Sequence, residues 1–275
     1  MSKYYTFSTD VIFKNTFDTE ESLKRLLSET LNLNINKIYK SNSELSVDNI
    51  KERRKYLDLI LETDKGIVNV EINHGYKDEI PNRNFLYLCK LISTSVRRSK
   101  SYININKHIQ LNITWNLKKY LNFDVSKRKI IYFHLAEDKS HEIVHNDLFE
   151  IVHINMDYFK DVWYYGDVKK ENPFLMLLAA PTEDEMDEIS KGDRVMEELN
   201  EKVKKLNQDS EILDVIIEDE EEIIANSLYE KGIEKGINQN RDEIVKKMLE
   251  EGSDIKFISK VTGLSEKEIK NIGKL

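Results

Sequence analysis

Residues 56–73 read YLDLILETDKGIVNVEIN. Apolar and polar residues alternate on both sides of a short polar break, as in two strands joined by a tight turn. A symmetric turn at Asp64 and Lys65 sets Leu57 opposite Ile72, Leu59 opposite Val70 and Leu61 opposite Val68. All six are apolar and lie on one side of the ribbon. The other side carries Asp58 opposite Glu71, with Asn69 and Asn73 next to Glu71. A bulge in the turn would shift the pairing by one residue and leave the alternation within each strand intact.

Two carboxylates opposed in this way have Cβ atoms ~4.5–5.5 Å apart. Such a pair repels, and one member takes up a proton unless a cation sits between them. Two readings are open. The pair is solvated and balanced by nearby Lys or Arg, or it holds a hard divalent ion such as Mg²⁺, which takes carboxylate oxygens and keeps several waters. In the second reading the ion activates a water and holds a phosphate oxygen, and Asn73 orients the water or the scissile phosphate.

The rest of the chain supplies helices and strands around this hairpin. TDVIFKNTF opens a helix, and Leu23, Leu26, Leu27 and Leu31 give a second one, with Thr19 and Ser22 as cap chemistry. A short extended piece is expected near Ile35–Tyr39. Phe85, Leu88, Leu91, Ile92 and Val96 line one face of a helix ending near Ser99. His108–Trp115 alternates as a strand, Ile130–Leu135 reads as a central strand, and residues 142–156 as a weaker strand pair. From Pro173 onward the pattern is helical, with one long helix or two stacked ones over 212–250. Gly232 and Gly236 fall on one face of it. This order predicts an α/β sheet covered by helices and an all-helical extension, divided as 1–180 and 181–275.

The bulk properties narrow the class. With 3 Pro and 9 Gly, long flexible linkers are not expected. The single Cys89 excludes an internal disulfide framework and a cysteine-rich zinc site, and fits a reducing, cytoplasmic setting. There is no run of about 18 apolar residues, so no membrane span is expected, and the start MSKYYTFSTDVIFK lacks the apolar run of a signal peptide. The net charge is −8, but it is unevenly spread. From Arg83 to Ile130 there are 11 Lys/Arg and one acid, Asp124, whereas 182–222 holds 17 Asp/Glu and 5 Lys/Arg. Either both are solvated faces, or the basic segment meets phosphates and the acidic one does not.

LDLILETDKGIVNVEIN resembles the acidic core of the PD-(D/E)XK nuclease superfamily. More narrowly, the chain is similar to the recombination-promoting nuclease family, also described as a transposase family. TDVIFKNTF is similar to that family's opening motif, RNFLYLCKLISTSVRRSKSY to its helix after the catalytic strand with Arg83, Tyr87 and Tyr102, and YEKGIEKGINQNRDEIVKKMLEEGSDIKFISKVTGLSEKEI to its C-terminal tail. The resemblance implies a restriction-endonuclease-like mixed central sheet flanked by helices. It also implies a metal-dependent DNA endonuclease associated with recombination, mobile DNA or phage defence. Asp58 and Glu71 are then the metal-binding carboxylates for Mg²⁺, with Mn²⁺ as a substitute, and Asn73 and Asp10 complete the catalytic set. Glu44 is a weaker acidic candidate. The implied reaction is in-line hydrolysis with a 3′-oxyanion leaving. Asn73 departs from the family's usual Gln and the superfamily's usual Lys, and its amide is one methylene shorter than that of Gln. The alternative is therefore a weakened or inactive nuclease fold acting as a DNA-binding or oligomerising regulator.

Lys14, Arg83, Arg97, Arg98 and Lys100 are the DNA-binding candidates. The competing reading of Arg97, Arg98 and Lys100 is an ordinary basic helix C-terminus, stabilised by the helix dipole. Asp10 also reads as helix-start chemistry with Thr9, and Lys14 as a surface lysine. DIKFISKVTGLSEKEIKNI outlines two short helices turning at Gly263, with Ser265 and Glu268 as a capping box. A helix-turn-helix would put the second helix in a major groove. Glu266 and Glu268 suit phosphates poorly, which favours packing or a homo-oligomer through the C-terminal helices. His141 and His145 do not have metal spacing for a loop or strand, and Trp115 and the Trp163–Tyr165 run read as core or interface aromatics.

Overall fold

The structure is a computed structural model, and its description covers residues 3–41, 59–74, 80–98, 106–119, 121, 123–145 and 148–273. The chain divides into two compact units, Met1–Ile216 and Ile217–Leu275. The boundary expected after residue 180 falls inside the first.

The first unit opens with α1 (Asp10–Thr16) and α2 (Glu20–Leu31), followed by β1 (Ile38–Ser41), β2 (Leu59–Thr63) and β3 (Gly66–Asn73). Helix α3 (Ile80–Arg98) leads into β4 (His108–Thr114), then β5 (Ile130–Phe133). A small hairpin of β6 (Leu135–Ala136) and β7 (Ile143–Val144) precedes β8 (Phe149–Asn155). Four helices follow: α4 (Met156–Tyr165), α5 (Pro173–Ala179), α6 (Glu183–Ser190) and α7 (Arg194–Leu206). Helix α8 (Ser210–Glu250) is one continuous helix. The main sheet is mixed and six-stranded, in the order β1-β2-β3-β4-β8-β5. Its centre, β3-β4-β8, is parallel, and the outer pairings are antiparallel. This is the expected helix-flanked mixed sheet.

The hairpin has the register read from its alternation. Leu59 pairs with Val70, Leu61 with Val68 and Thr63 with Gly66, around a two-residue turn without a bulge. The turn is fixed locally. Thr63 Oγ1 donates to the Gly66 carbonyl at 2.9 Å and accepts from Lys65 N–H at 3.0 Å. The Asp64 carboxylate accepts from the Asn36 and Lys37 main chain. The apolar side packs as expected at its described residues, Leu57 lying outside them. Leu59, Leu61, Val68, Val70 and Ile72 join Ile109, Leu111, Ile113, Val152 and Ile154 in one core. Phe7, Phe13 and Phe17 add to it, as do Leu26, Phe159, Phe174 and buried residues of α6, α7 and the start of α8. Burying this much aliphatic and aromatic surface is the main stabilising term, at roughly 25 cal/mol per Å².

Two strand expectations need correction. Ile130–Leu135 is not central: β5 lies at the sheet edge and ends at Phe133. Its apolar character serves a separate small cluster, in which Ile131 packs with Leu117 and Val125. The central place belongs to β8, from the stretch read as a weaker pair, between β4 and β5. Phe85 is exposed rather than core-facing, and α3 buries Asn84 and Leu88 instead. Trp115 is a buried core aromatic, and Trp163 packs partly buried against the core with its Nε1 donating to the Met176 carbonyl at 2.9 Å, whereas Tyr164 and Tyr165 are exposed.

In the second unit, the end of α8 packs with α9 (Ile255–Thr262) and α10 (Glu266–Ile272). Val245, Ile258, Leu264 and Ile269 form the centre of this small core, with Met248, Leu249, Ile255 and Ile272 around it. Gly263 adopts the left-handed conformation that ends α9, at φ 73°. Ser265 and Glu268 make the expected capping box.

Candidate active site

Strand β3 presents two different sides. Val68, Val70 and Ile72 face the large core, and Asn69, Glu71 and Asn73 alternate with them on the other side. Parallel pairing with β4 aligns Asn69 with Gln110, Glu71 with Asn112 and Asn73 with Thr114. The next strand continues these rows with Ile151, His153 and Asn155. This side is not open to solvent. Glu71 is only 5% exposed and Asn73 only 2%, so the solvated-carboxylate reading does not hold for Glu71. Helix α3 packs against β3 and β4 and brings a further amide, Asn84, into the same place.

The polar residues form a connected network. Asn69 Nδ2 donates to Gln110 Oε1 at 2.9 Å, and Gln110 Nε2 to Asn112 Oδ1 at 3.2 Å. Asn84 Nδ2 donates to the same Asn112 oxygen at 2.7 Å. Asn73 Nδ2 is shared between Asn112 Oδ1 and Thr114 Oγ1, at 3.5 Å to each. On the far side, Asn112 Nδ2 lies 3.3 Å from the Val152 carbonyl and 3.4 Å from His153 Nε2. A carbonyl only accepts, so the Asn112 nitrogen belongs there and its oxygen faces the three amides. His153 Nε2 then accepts and its Nδ1–H donates to Thr114 Oγ1 at 3.2 Å, which fixes a neutral tautomer. Burial pushes the His153 imidazole down from 6.5 to about 4, in agreement with that tautomer. His108 and His74 are also held below the usual histidine range, chiefly by burial.

The other predicted site residues are distributed as follows. Asp58, Glu44 and Lys100 lie outside the described residues. Asp10 begins α1, and its Oδ2 pairs with Lys14 Nζ at 2.8 Å. Lys14 is 11% exposed and paired, so it is not an ordinary surface lysine. Arg83 lies in the first turn of α3 beside Asn84, and Arg97 and Arg98 end that helix. His141 and His145 sit in exposed loops with positive φ, and no group of three metal-ligating side chains is present among the described residues.

Sequence reasoning missed Gln110, Asn112, Thr114 and Asn84. A usable signal was present: the polar positions of β4 carry amides and a hydroxyl, with none of the Lys and Glu of a solvated strand face.

The donor types fit a hard cation. Glu71 supplies a buried carboxylate, and Asn73 Oδ1 has no hydrogen-bond partner among the described residues. Both are oxygen donors of the kind that Mg²⁺ or Mn²⁺ takes.

A helix-flanked mixed sheet with a parallel centre is a restriction-endonuclease-like fold. Residues 7–228 match the family described as PD-(D/E)XK nuclease family transposase, and the chain belongs to that family. Residues 243–274 match the C-terminal HTH domain of the Rpn/YhgA-like nuclease family. No curated protein and no solved structure matches the chain.

Proposed function

We propose that the chain is a divalent-metal-dependent DNA endonuclease whose metal carboxylates are Asp58 and Glu71. The observation that carries this reading is the burial of Glu71 on the amide-lined side of a hairpin whose register is defined by Leu59 opposite Val70. Asp58 immediately precedes Leu59 in the chain, as Glu71 immediately follows Val70. A cation bound by the two carboxylates would supply acidification of a water and polarisation of the phosphodiester.

The chain's own residues do the rest. Asn73 offers its amide to the scissile phosphate or to the attacking water. Asp10 adds acidic charge, balanced by Lys14. Arg83, Arg97, Arg98 and Lys100, on or just after α3, hold backbone phosphates without reading sequence. Lys14 joins them where it can leave Asp10. The C-terminal match favours DNA as the partner of α9 and α10 as well. No helix among the described residues is long and apolar enough to cross a membrane, and a reducing cytoplasm suits the exposed free Cys89.

The test is nicking of supercoiled plasmid in Mg²⁺ and in Mn²⁺. The wild-type chain is expected to nick, and Asp58→Ala and Glu71→Gln to lose at least about 100-fold of the rate. A specific observation favours a second reading: the Asn73 amide is drawn toward Asn112 and Thr114 on β4. A short side chain engaged in the sheet is a weak catalyst, and the chain then acts as a DNA-binding or self-associating regulator. DNA binding that persists with no cleavage in either metal would decide for that reading.

A further inference from the structure

Three hydrogen bonds converge on one atom of the amide network. Asn112 Oδ1 accepts from Asn84 at 2.7 Å, Gln110 at 3.2 Å and Asn73 at 3.5 Å. A carboxamide oxygen has two lone pairs, so three donors compete for it. Asn84 holds the best place and Asn73 the loosest. The orientation of Asn112 is fixed from behind by the Val152 carbonyl. Asn73 and Asn84 share a second property. Their Oδ1 atoms are buried and have no partner among the described residues. Asn69, Asn155 and Asn200 also leave a buried Oδ1 unpaired, but each is anchored to a separate acceptor; two such oxygens anchored to one acceptor mark a place arranged for something other than stability.

The placement answers the shortness of Asn73. Asn112 is the ladder partner of Glu71, so an amide keyed to Asn112 is keyed to the carboxylate strand. Asn84 comes from α3, one residue after Arg83, and its bond to Asn112 ties that helix to the same point.

We propose that Asn112 and Asn84 are the positioning pair of this site: Asn112 Oδ1 anchors the short amide of Asn73 from β3, and Asn84, which takes the best place on that oxygen from α3, keeps Asn73 on a loose bond and out of the sheet. The kinetic consequence rests on the endonuclease reading; the geometric one does not.

The experiment uses the full-length protein and two readouts. The first is the side-chain amide resonance of Asn73, assigned by its loss in Asn73→Asp. Asn84→Ala is expected to move it, while the resonance of Asn155, bound to the Val125 and Arg128 carbonyls, stays in place. An Asn73 resonance unmoved by Asn84→Ala overturns the inference whatever the activity. Should Asn84→Ala fail to fold, Asn84→Asp keeps the size, removes the donor and is read in the same way. The second readout is plasmid nicking in Mn²⁺. Asn84→Ala is expected to lower kcat about tenfold or more, with KM for DNA within about twofold. The longer amide of Asn73→Gln is expected to restore rate in the Asn84→Ala background. A merely structural role for Asn84 would give no such rescue, and a fallen Asn84→Ala rate that Asn73→Gln does not restore would overturn the positioning claim. A wild-type chain that nicks in neither metal counts against the endonuclease reading, and the resonance still decides this one.

Discussion

Gly66 meets Lys107 main chain to main chain, where β3 begins beside β4. The Ile67 N–H donates to the Lys107 carbonyl at 2.8 Å, and a side chain at position 66 would run into that same oxygen. Gly66 also has φ +134°, a conformation that L side chains rarely adopt. Gly66→Ala therefore combines backbone strain with a clash against a fixed carbonyl. The expected loss is about 2–4 kcal/mol, read as a lower denaturant midpoint with an unchanged slope. A loss below about 0.5 kcal/mol, the size of an ordinary surface change, would mean that the hairpin is not seated on Lys107.

That hairpin was the most legible part of the chain. Alternation across a two-residue turn leaves one register that buries Leu59, Leu61, Val68, Val70 and Ile72 together, and Leu59–Val70 and Leu61–Val68 follow it, with Ile60 and Ile67 left on the other side. Glu71 and Asn73 were legible as a specified polar side for the same reason. Their burial was not, because it depends on α3, whose packing face is marked by Asn84 and Leu88 rather than by the more apolar Phe85 and Leu86. Strand order was also hidden. IIYF looks central by composition, yet it buries only Ile131 fully, against a local cluster. β8 looks weak because Glu150, His153 and Asn155 interrupt it, but His153 and Asn155 are polar for the network and the turn they serve. Polar residues in a central strand lower its apparent hydrophobicity when they have fixed partners inside.

His153 makes stability depend on pH. Its folded pKa is lowered to about 4 by burial, below the unfolded value of 6.5. Above 6.5 both states are neutral and nothing is lost. Between 6.5 and about 4 the unfolded chain takes up a proton that the folded chain refuses, so stability falls as pH falls, levelling off below about 4. At about 1.4 kcal/mol per unit, reduced for its partial exposure, the effect is about 2 kcal/mol. Urea midpoints between neutral and acid pH should drop more steeply for the wild type than for His153→Gln. His74 and His108 shift in the same direction and act equally in both proteins. Parallel curves would show that His153 titrates normally.

Asp157 ties α4 to the chain leaving β4. Its two carboxylate oxygens accept the main-chain N–H groups of Asn116 and Leu117, each at 2.9 Å. Asn116 has φ +59°, a left-handed conformation that Asn adopts more readily than most other residues. Asp157→Ala leaves two N–H groups without acceptors and releases the turn. The expected loss is about 2–3 kcal/mol, and Asp157→Asn, which keeps one acceptor, should lose less. Equal losses for the two variants would place the effect in packing rather than in these hydrogen bonds.

Arg97 and Arg98 close α3, where a basic pair has two possible tasks. One is to complement the helix dipole, which is a stability effect of about 0.3–1 kcal/mol. The other is to neutralise DNA phosphates, which is a binding effect that salt erodes. The two separate cleanly in one variant. If both arginines contact duplex phosphates, Arg97→Ala with Arg98→Ala should weaken binding uniformly across sequences and reduce the slope of log K against log salt by about 2. The melting temperature should stay nearly unchanged. Lys204→Ala is the control, because Lys204 is paired with Asp187 at 2.6 Å and should leave the slope as it is. A lowered melting temperature with an unaltered salt slope would assign the pair to the helix end. The phosphate-binding surface would then lie elsewhere, in the rest of the basic segment between Arg83 and Ile130 or in α9 and α10.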